Sequence, residues 1–166
     1  MIGRKKLNHW IVTVGGMGHW PYAPGTWGSL VGLVLGAGVH HVSTHPFWLL
    51  MGLIGALSLL SLYAISHYLK NHPGKKDPSE IVIDEVVGQL VAVLVCETPL
   101  EMGLAFLLFR VFDIWKPWPV SWADEMGGTP TKDTVGIMLD DVLAGFLAAG
   151  GVLILQSFYQ NHPTLF

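Results

Sequence analysis

The chain has 166 residues, of which 51% are hydrophobic and only 13% charged, with a mean hydropathy of +0.50 and a formal net charge of -3. A water-soluble domain of this size carries about 25% charged residues, so the composition favours a bilayer as the solvent of a single domain over residues 1–166. The negative balance excludes a nucleic-acid binder, which needs a basic footprint, and the one cysteine, Cys96 in an apolar run, excludes a disulfide framework.

The amino end, "MIGRKKLNHWIVTVGGMGHW", has a basic start but no long apolar core and no small-residue cleavage pattern, so it is expected to stay on the mature protein. "GGMGHWPYAPGT" follows, a glycine-rich loop with a Pro-Gly breaker, and Thr26 is placed to cap the helix that begins there. Five apolar stretches then alternate with polar punctuation. Thr26 to His40 is a short helix rich in small residues, and Phe47 to Leu69 has the length to span a bilayer. "EIVIDEVVGQLVAVLVCETP" reads as a helix from Glu80, with Ser79 as N-cap, to the Pro99 region. "LEMGLAFLLFRVFDIWK" stops before Pro117, which cannot continue a helix, and the last stretch runs from about Val135 to Phe158. The expected fold is all-α: a polytopic membrane bundle of four to five transmembrane helices.

If each stretch crosses once, all nine Lys and Arg residues fall on one side. Short cytoplasmic loops collect these cations, so that side, with the amino terminus, is assigned to the cytoplasm. Trp10, Trp20, Trp27, Trp115, Trp118 and Trp122 map to the same level, where tryptophan anchors at the interface.

The same topology gathers acids at one depth. Glu80, Asp84 and Glu85 open the third stretch, Asp113 closes the fourth, and Asp140 and Asp141 lie in the first turns of the fifth. Glu80 and Asp84, four residues apart, share a helical face, while Gly136, Asp140, Ala144 and Ala148 form a stripe along which another helix can approach. Against these six acids stand two cations, Arg110 and Lys116. Each uncompensated charge inside a bilayer costs about 2.5–3.5 kcal/mol, so such a cluster either protonates or binds cations. Carboxylate oxygens suit Mg²⁺ or Mn²⁺, and no Cys/His set has zinc spacing. Gly25 and Thr26 of "PGT", with His19 of the glycine loop, are candidates for contacting a phosphate at a helix amino end, although no Walker A lysine follows. A carboxylate-lined cation transporter or channel is the alternative reading, but the distal halves "LVAVLVC" and "AAGGVLIL" carry no ionisable side chain to complete a pathway.

The four blocks "PYAPGTWGSL", "DPSEIVIDEVVGQ", "FRVFDIWKPWP" and "GIMLDDVLAG" together resemble the phosphatidylglycerophosphatase A family, in the same order and over nearly the whole chain. The resemblance implies a bacterial inner-membrane, Mg²⁺-requiring enzyme that takes a phospholipid, phosphatidylglycerophosphate, and removes its terminal phosphate to give phosphatidylglycerol. It carries motif acids onto Glu80, Asp84, Glu85, Asp113, Asp140 and Asp141 as metal ligands, with Arg110 and Lys116 beside them and Thr26 in the "PGT" block. Expected catalytic residues are Asp84, Asp113, Arg110 and Lys116; the cations are placed to neutralise the transferring phosphoryl group, and the nucleophile is left open between water and an aspartate.

Overall fold

A computed structural model describes residues 2–74 and 77–161. Lys75 and Lys76, two of the cations used to orient the chain, lie outside them, as does the side chain of Arg4. Seven α-helices follow in order: α1 (Ile2–Val12), α2 (Pro24–Val42), α3 (Pro46–Asn71), α4 (Ile83–Ala92), α5 (Pro99–Trp115), α6 (Val120–Asp124) and α7 (Pro130–Asn161). No strand occurs among the described residues, so the all-α expectation holds.

Proline sets several of the starts. Pro24, Pro46 and Pro99 occupy the first turns of α2, α3 and α5, where a missing N–H leaves no intrahelical bond unmade. Thr98 adds a capping box to α5: its hydroxyl accepts from Glu101 N at 3.3 Å, and Glu101 Oε2 accepts from Thr98 N at 3.2 Å. At the other end Lys116, at φ 48°, turns the chain through the left-handed region before Pro117. That region disfavours a residue with a Cβ, so the position is held by the contacts of its side chain, described below.

The core is organised around α4. Nearly all of its residues are buried, with α2 on one side and α7 on the other, and α5 packs beside both. Glycines allow this closeness. Cβ atoms on Gly28 and Gly32 of α2 would fall 2.6 Å from the Val82 carbonyl and 2.7 Å from the Val86 carbonyl, and one on Gly88 would fall 2.6 Å from the Asp141 carbonyl. Phe109, fully buried, fills the space between α4, α5 and α7 with Ala105, Ala144, Ala148 and Val152. The stripe expected on the last helix is therefore the surface that receives its neighbours. By contrast Trp48, Leu59, Ile114 and Ile154 are more than two-thirds exposed, an outer surface suited to lipid rather than water.

Several boundaries differ from the sequence reading. Two helices among the described residues, α3 and α7, are long and apolar enough to cross a membrane, against the four to five expected. The third stretch does not form a helix from Glu80: residues 79 and 80 are a turn, Val82 rather than Ser79 is the N-cap, and the helix begins at Ile83. It ends at Ala92, passing into a single 3-10 turn over Val93–Val95, so at ten residues it is about 15 Å long, half a hydrocarbon core. Thr26 is not the cap of α2; Ala23 is, and Thr26 sits in the first turn with its N–H donating to the Ala23 carbonyl at 3.0 Å. The sequence reading assigned no helix to the amino end, where α1 forms and packs against α3.

Candidate active site

α2, α4, α5 and α7 converge on a cavity of about 270 Å³. Its walls carry Asp84 and Glu85 from the first turn of α4, Arg110 and Asp113 from the last turns of α5, Lys116 from the cap beyond, and Asp140 and Asp141 from α7. Asp113 and Arg110 are one helical turn apart, so both face the same way. Asp140 and Asp141 stand where α7 passes α4 at Gly88, and that close approach brings the two acid pairs together.

Three carboxylates form the centre. Oxygens of Asp84, Glu85 and Asp141 all lie within 4.8 Å of one another. Asp84 Oδ1 and Glu85 Oε2 are buried and have no hydrogen-bond partner among the described residues. Buried polar atoms are normally paired, because leaving one unpaired costs about 1–3 kcal/mol. A trio of close carboxylates, two of which keep an orphaned oxygen, therefore fits a cation, and an all-oxygen donor set fits a hard one.

The other acids are engaged by cations. Asp113 Oδ2 pairs with Arg110 Nη1 at 2.6 Å, and the same nitrogen donates to Ser29 Oγ on α2 at 3.2 Å. Ser29 in turn donates to the Gly25 carbonyl at 2.8 Å, which fixes the first turn of α2 against α5. Lys116 Nζ donates to Asp140 Oδ2 at 2.8 Å and also pairs with Asp124 of α6. Burial alone would lower the Lys116 ammonium, but the hydrogen bonds to Asp124 and Asp140 outweigh it and hold the group above the ordinary lysine range. Asp140 Oδ1 accepts from Asp141 N at 3.0 Å, so both Asp140 oxygens have partners.

Gly25 closes the cavity from above. A Cβ there would enter the space occupied by Glu85 Oε1 and would stand 3.3 Å from Arg110 Nη1, so glycine lets α2 reach these groups without displacing the Glu85 carboxylate. Ala23 and Pro24 complete that wall, which puts the amino end of α2 beside the acids.

Three residues singled out from sequence lie elsewhere. Glu80 is not among the cavity residues; outside α4, it accepts a hydrogen bond from the Tyr68 hydroxyl on α3. His19 is exposed, with Nε2 2.7 Å from His9 Nε2, and Thr26 is likewise not part of the wall. In Glu80's place stands Asp77, so the cavity still holds six acids against two cations, with one member exchanged. Asp77 was visible as a charge but reads as an acid that caps or solvates a helix end at the interface; Asp124 and Ser29 carried no signal, since neither falls on a periodic charged face.

Fold and cavity together define a class: a protein all-helical among its described residues, with two membrane-length helices among them and a carboxylate cluster able to hold a cation. The comparisons narrow it. The chain belongs to the phosphatidylglycerophosphatase A family, whose model matches residues 10–156. A phosphatidylglycerophosphatase A of Escherichia coli (strain K12) is 34% identical over 152 residues, covering 88% of this chain and 83% of that protein. One from Haemophilus influenzae is 34% identical over 144 residues, covering 81% and 79%. A Bacteroides thetaiotaomicron relative, provisionally named a phosphatidylinositol-3-phosphatase, is 35% identical over 137 residues, covering 78% and 81%. No solved structure matches the chain. Membership makes this protein a lipid phosphatase.

Proposed function

We propose that the protein hydrolyses phosphatidylglycerophosphate to phosphatidylglycerol and inorganic phosphate, with Mg²⁺ held by Asp84, Glu85 and Asp141. The observation that carries this reading is the trio of carboxylates within 4.8 Å, two of them with orphaned oxygens, in one cavity with Arg110 and Lys116. Asp84, Glu85 and Asp141 would hold the divalent ion, which would supply charge neutralisation and would lower the pKa of a water bound to it.

The remaining work falls to the chain's own groups. Arg110 lines the cavity with its Nε unpartnered among the described residues, which leaves a donor for a phosphate oxygen while Asp113 and Ser29 hold Nη1 in place. Lys116, shared between Asp140 and Asp124, acts chiefly by fixing Asp140 and only secondarily as a cation facing phosphate. Asp140, pinned on both oxygens, orients the Asp141 backbone and so the third carboxylate of the trio. Gly25, with no side chain, leaves the Glu85 carboxylate its place beside Arg110 at the amino end of α2. Cleavage transfers the terminal phosphoryl group to water and leaves a hydroxyl on the lipid, whose tails stay among the exposed apolar side chains outside the helices.

A multi-pass placement in the bacterial inner membrane, with the site and amino terminus at the cytoplasmic face, is supported by the cations at this end and by Trp10, Trp20, Trp27, Trp115, Trp118 and Trp122, all exposed. The test is phosphate release by purified protein in detergent from phosphatidylglycerophosphate, with phosphatidylinositol 3-phosphate as the competing headgroup. Preference for the second lipid would overturn the substrate assignment and leave the site assignment standing.

A further inference from the structure

A second polar site lies between α1 and the carboxyl end of α3. A cleft of about 470 Å³ is lined there by Lys5, Lys6, His9, Trp10, Asn71 and His72. A smaller recess of about 40 Å³ adjoins it, sharing Lys5, His9, Asn71 and His72 and adding Asn8, His67 and Tyr68. Among the described residues neither wall contains an acid, the nearest carboxylate partner being Glu80, which accepts from the Tyr68 hydroxyl, and neither wall shares a residue with the acid cavity.

The recess contains a donor without an acceptor. Asn8 is 6% exposed, and its Nδ2 has no hydrogen-bond partner among the described residues. A buried amide N–H in that state calls for an acceptor from outside the fold. The surrounding groups say what kind. Lys5 and Lys6 bring two positive charges to the rim, and the carboxyl end of α3, which would repel an anion, is covered from within. Asn71 Nδ2 donates to the His67 carbonyl at 2.6 Å, and His72 Nδ1 donates to the Tyr68 carbonyl at 2.9 Å. Tyr68 stacks on His72 with ring centroids 4.2 Å apart and on His9 at 6.0 Å, so the ring edges of the recess are fixed before anything binds.

We propose that the cleft and its adjoining recess together bind a phosphate oxyanion, with Asn8 Nδ2 in the recess and the Lys5 and Lys6 ammonium groups at the cleft rim as its donors. The oxyanion can belong to a phospholipid headgroup or to free phosphate. Leu7 and Trp10, 60% and 62% exposed beside the lysines, give α1 the apolar flank of a helix lying at a bilayer surface, which favours the headgroup. The inference stands independently of any reading of the acid cavity.

The full-length protein in an uncharged detergent is titrated calorimetrically with dihexanoylphosphatidylglycerol, with inorganic phosphate and with dihexanoylphosphatidylcholine. Wild type is expected to bind the anionic lipid saturably and more tightly than the zwitterionic one. Comparable binding of inorganic phosphate assigns the site to the oxyanion alone; its failure to bind assigns it to the lipid headgroup. Because Lys5 and Lys6 are exposed, the Lys5→Gln/Lys6→Gln double variant folds normally and is expected to bind about thirtyfold more weakly. Asn8→Asp places a carboxylate in the recess and is expected to weaken binding further. Asp141→Asn reports on the acid cavity and is expected to leave this binding unchanged. Wild-type affinity in the double variant, loss confined to Asp141→Asn, or no anion binding by wild type would each overturn the proposal.

Discussion

Asp141→Asn separates a metal site from an ordinary polar core. The trio's carboxylate oxygens lie within 4.8 Å, and two unit charges at that distance repel by about 3.5 kcal/mol at an effective dielectric of about 20. Asparagine has nearly the same shape and removes that repulsion toward both Asp84 and Glu85. Protons and water already relieve part of it, so a net gain of about 2 kcal/mol is expected in the metal-free protein. For a chain of this length that corresponds to a melting temperature higher by about 4–8 °C. The assay is thermal denaturation in detergent, first with chelator and then with Mg²⁺. With chelator the variant should melt above wild type; with Mg²⁺ wild type should gain stability and the variant should not. Phosphate release should fall by about a hundredfold or more, as on loss of a principal electrostatic contact to a transition state. A variant that melts at or below wild type in chelator, and still responds to Mg²⁺, would refute the reasoning.

Other substitutions test individual supports. Gly25→Ala should fold but lose most turnover in a phosphate-release assay, because its Cβ occupies space next to Glu85 and Arg110. Lys116→Met should lower both melting temperature and turnover, since it strands the nearly buried Asp140 carboxylate; removing one partner of a buried pair costs about 3–5 kcal/mol, less here because Lys116 is 28% exposed. Thr98→Ala deletes the capping box at the far end of α5 and should cost about 1 kcal/mol in denaturation while leaving turnover of the folded enzyme unchanged. Asp140→Asn should keep the fold and abolish turnover, measured against the same melting curve.

How far the site was legible follows from particular residues. Arg110 and Asp113 could be read because they sit near the end of a long apolar helix whose limit is marked by Pro117, and Asp140 and Asp141 because they stand out as acids inside a long apolar helix that follows a polar loop. Glu80 was misplaced because "PSEIVIDE" satisfies the pattern of a capped helix, whereas the backbone turns at residues 79 and 80 and stays non-helical through 82, with Val82 N donating to the Val12 carbonyl at 2.9 Å. That contact is made with α1, a helix whose mixed sequence "IGRKKLNHWIV" carries no apolar stretch to announce it. Missing α1 therefore meant missing the reason α4 starts late. The third apolar stretch did not become a bilayer-length helix for a related reason: the residues of α4 are apolar because they are buried against α2 and α7, and burial in protein and burial in lipid select the same side chains. Asp124 was out of reach because α6 has five residues, too few to show a period.

The account rests most directly on metal-dependent phosphate release. Purified wild-type protein in detergent, given phosphatidylglycerophosphate, should release phosphate with Mg²⁺, stop on addition of chelator and resume when Mg²⁺ is restored in excess. Release that continues undiminished in chelator, or no release under any of these conditions, would contradict it.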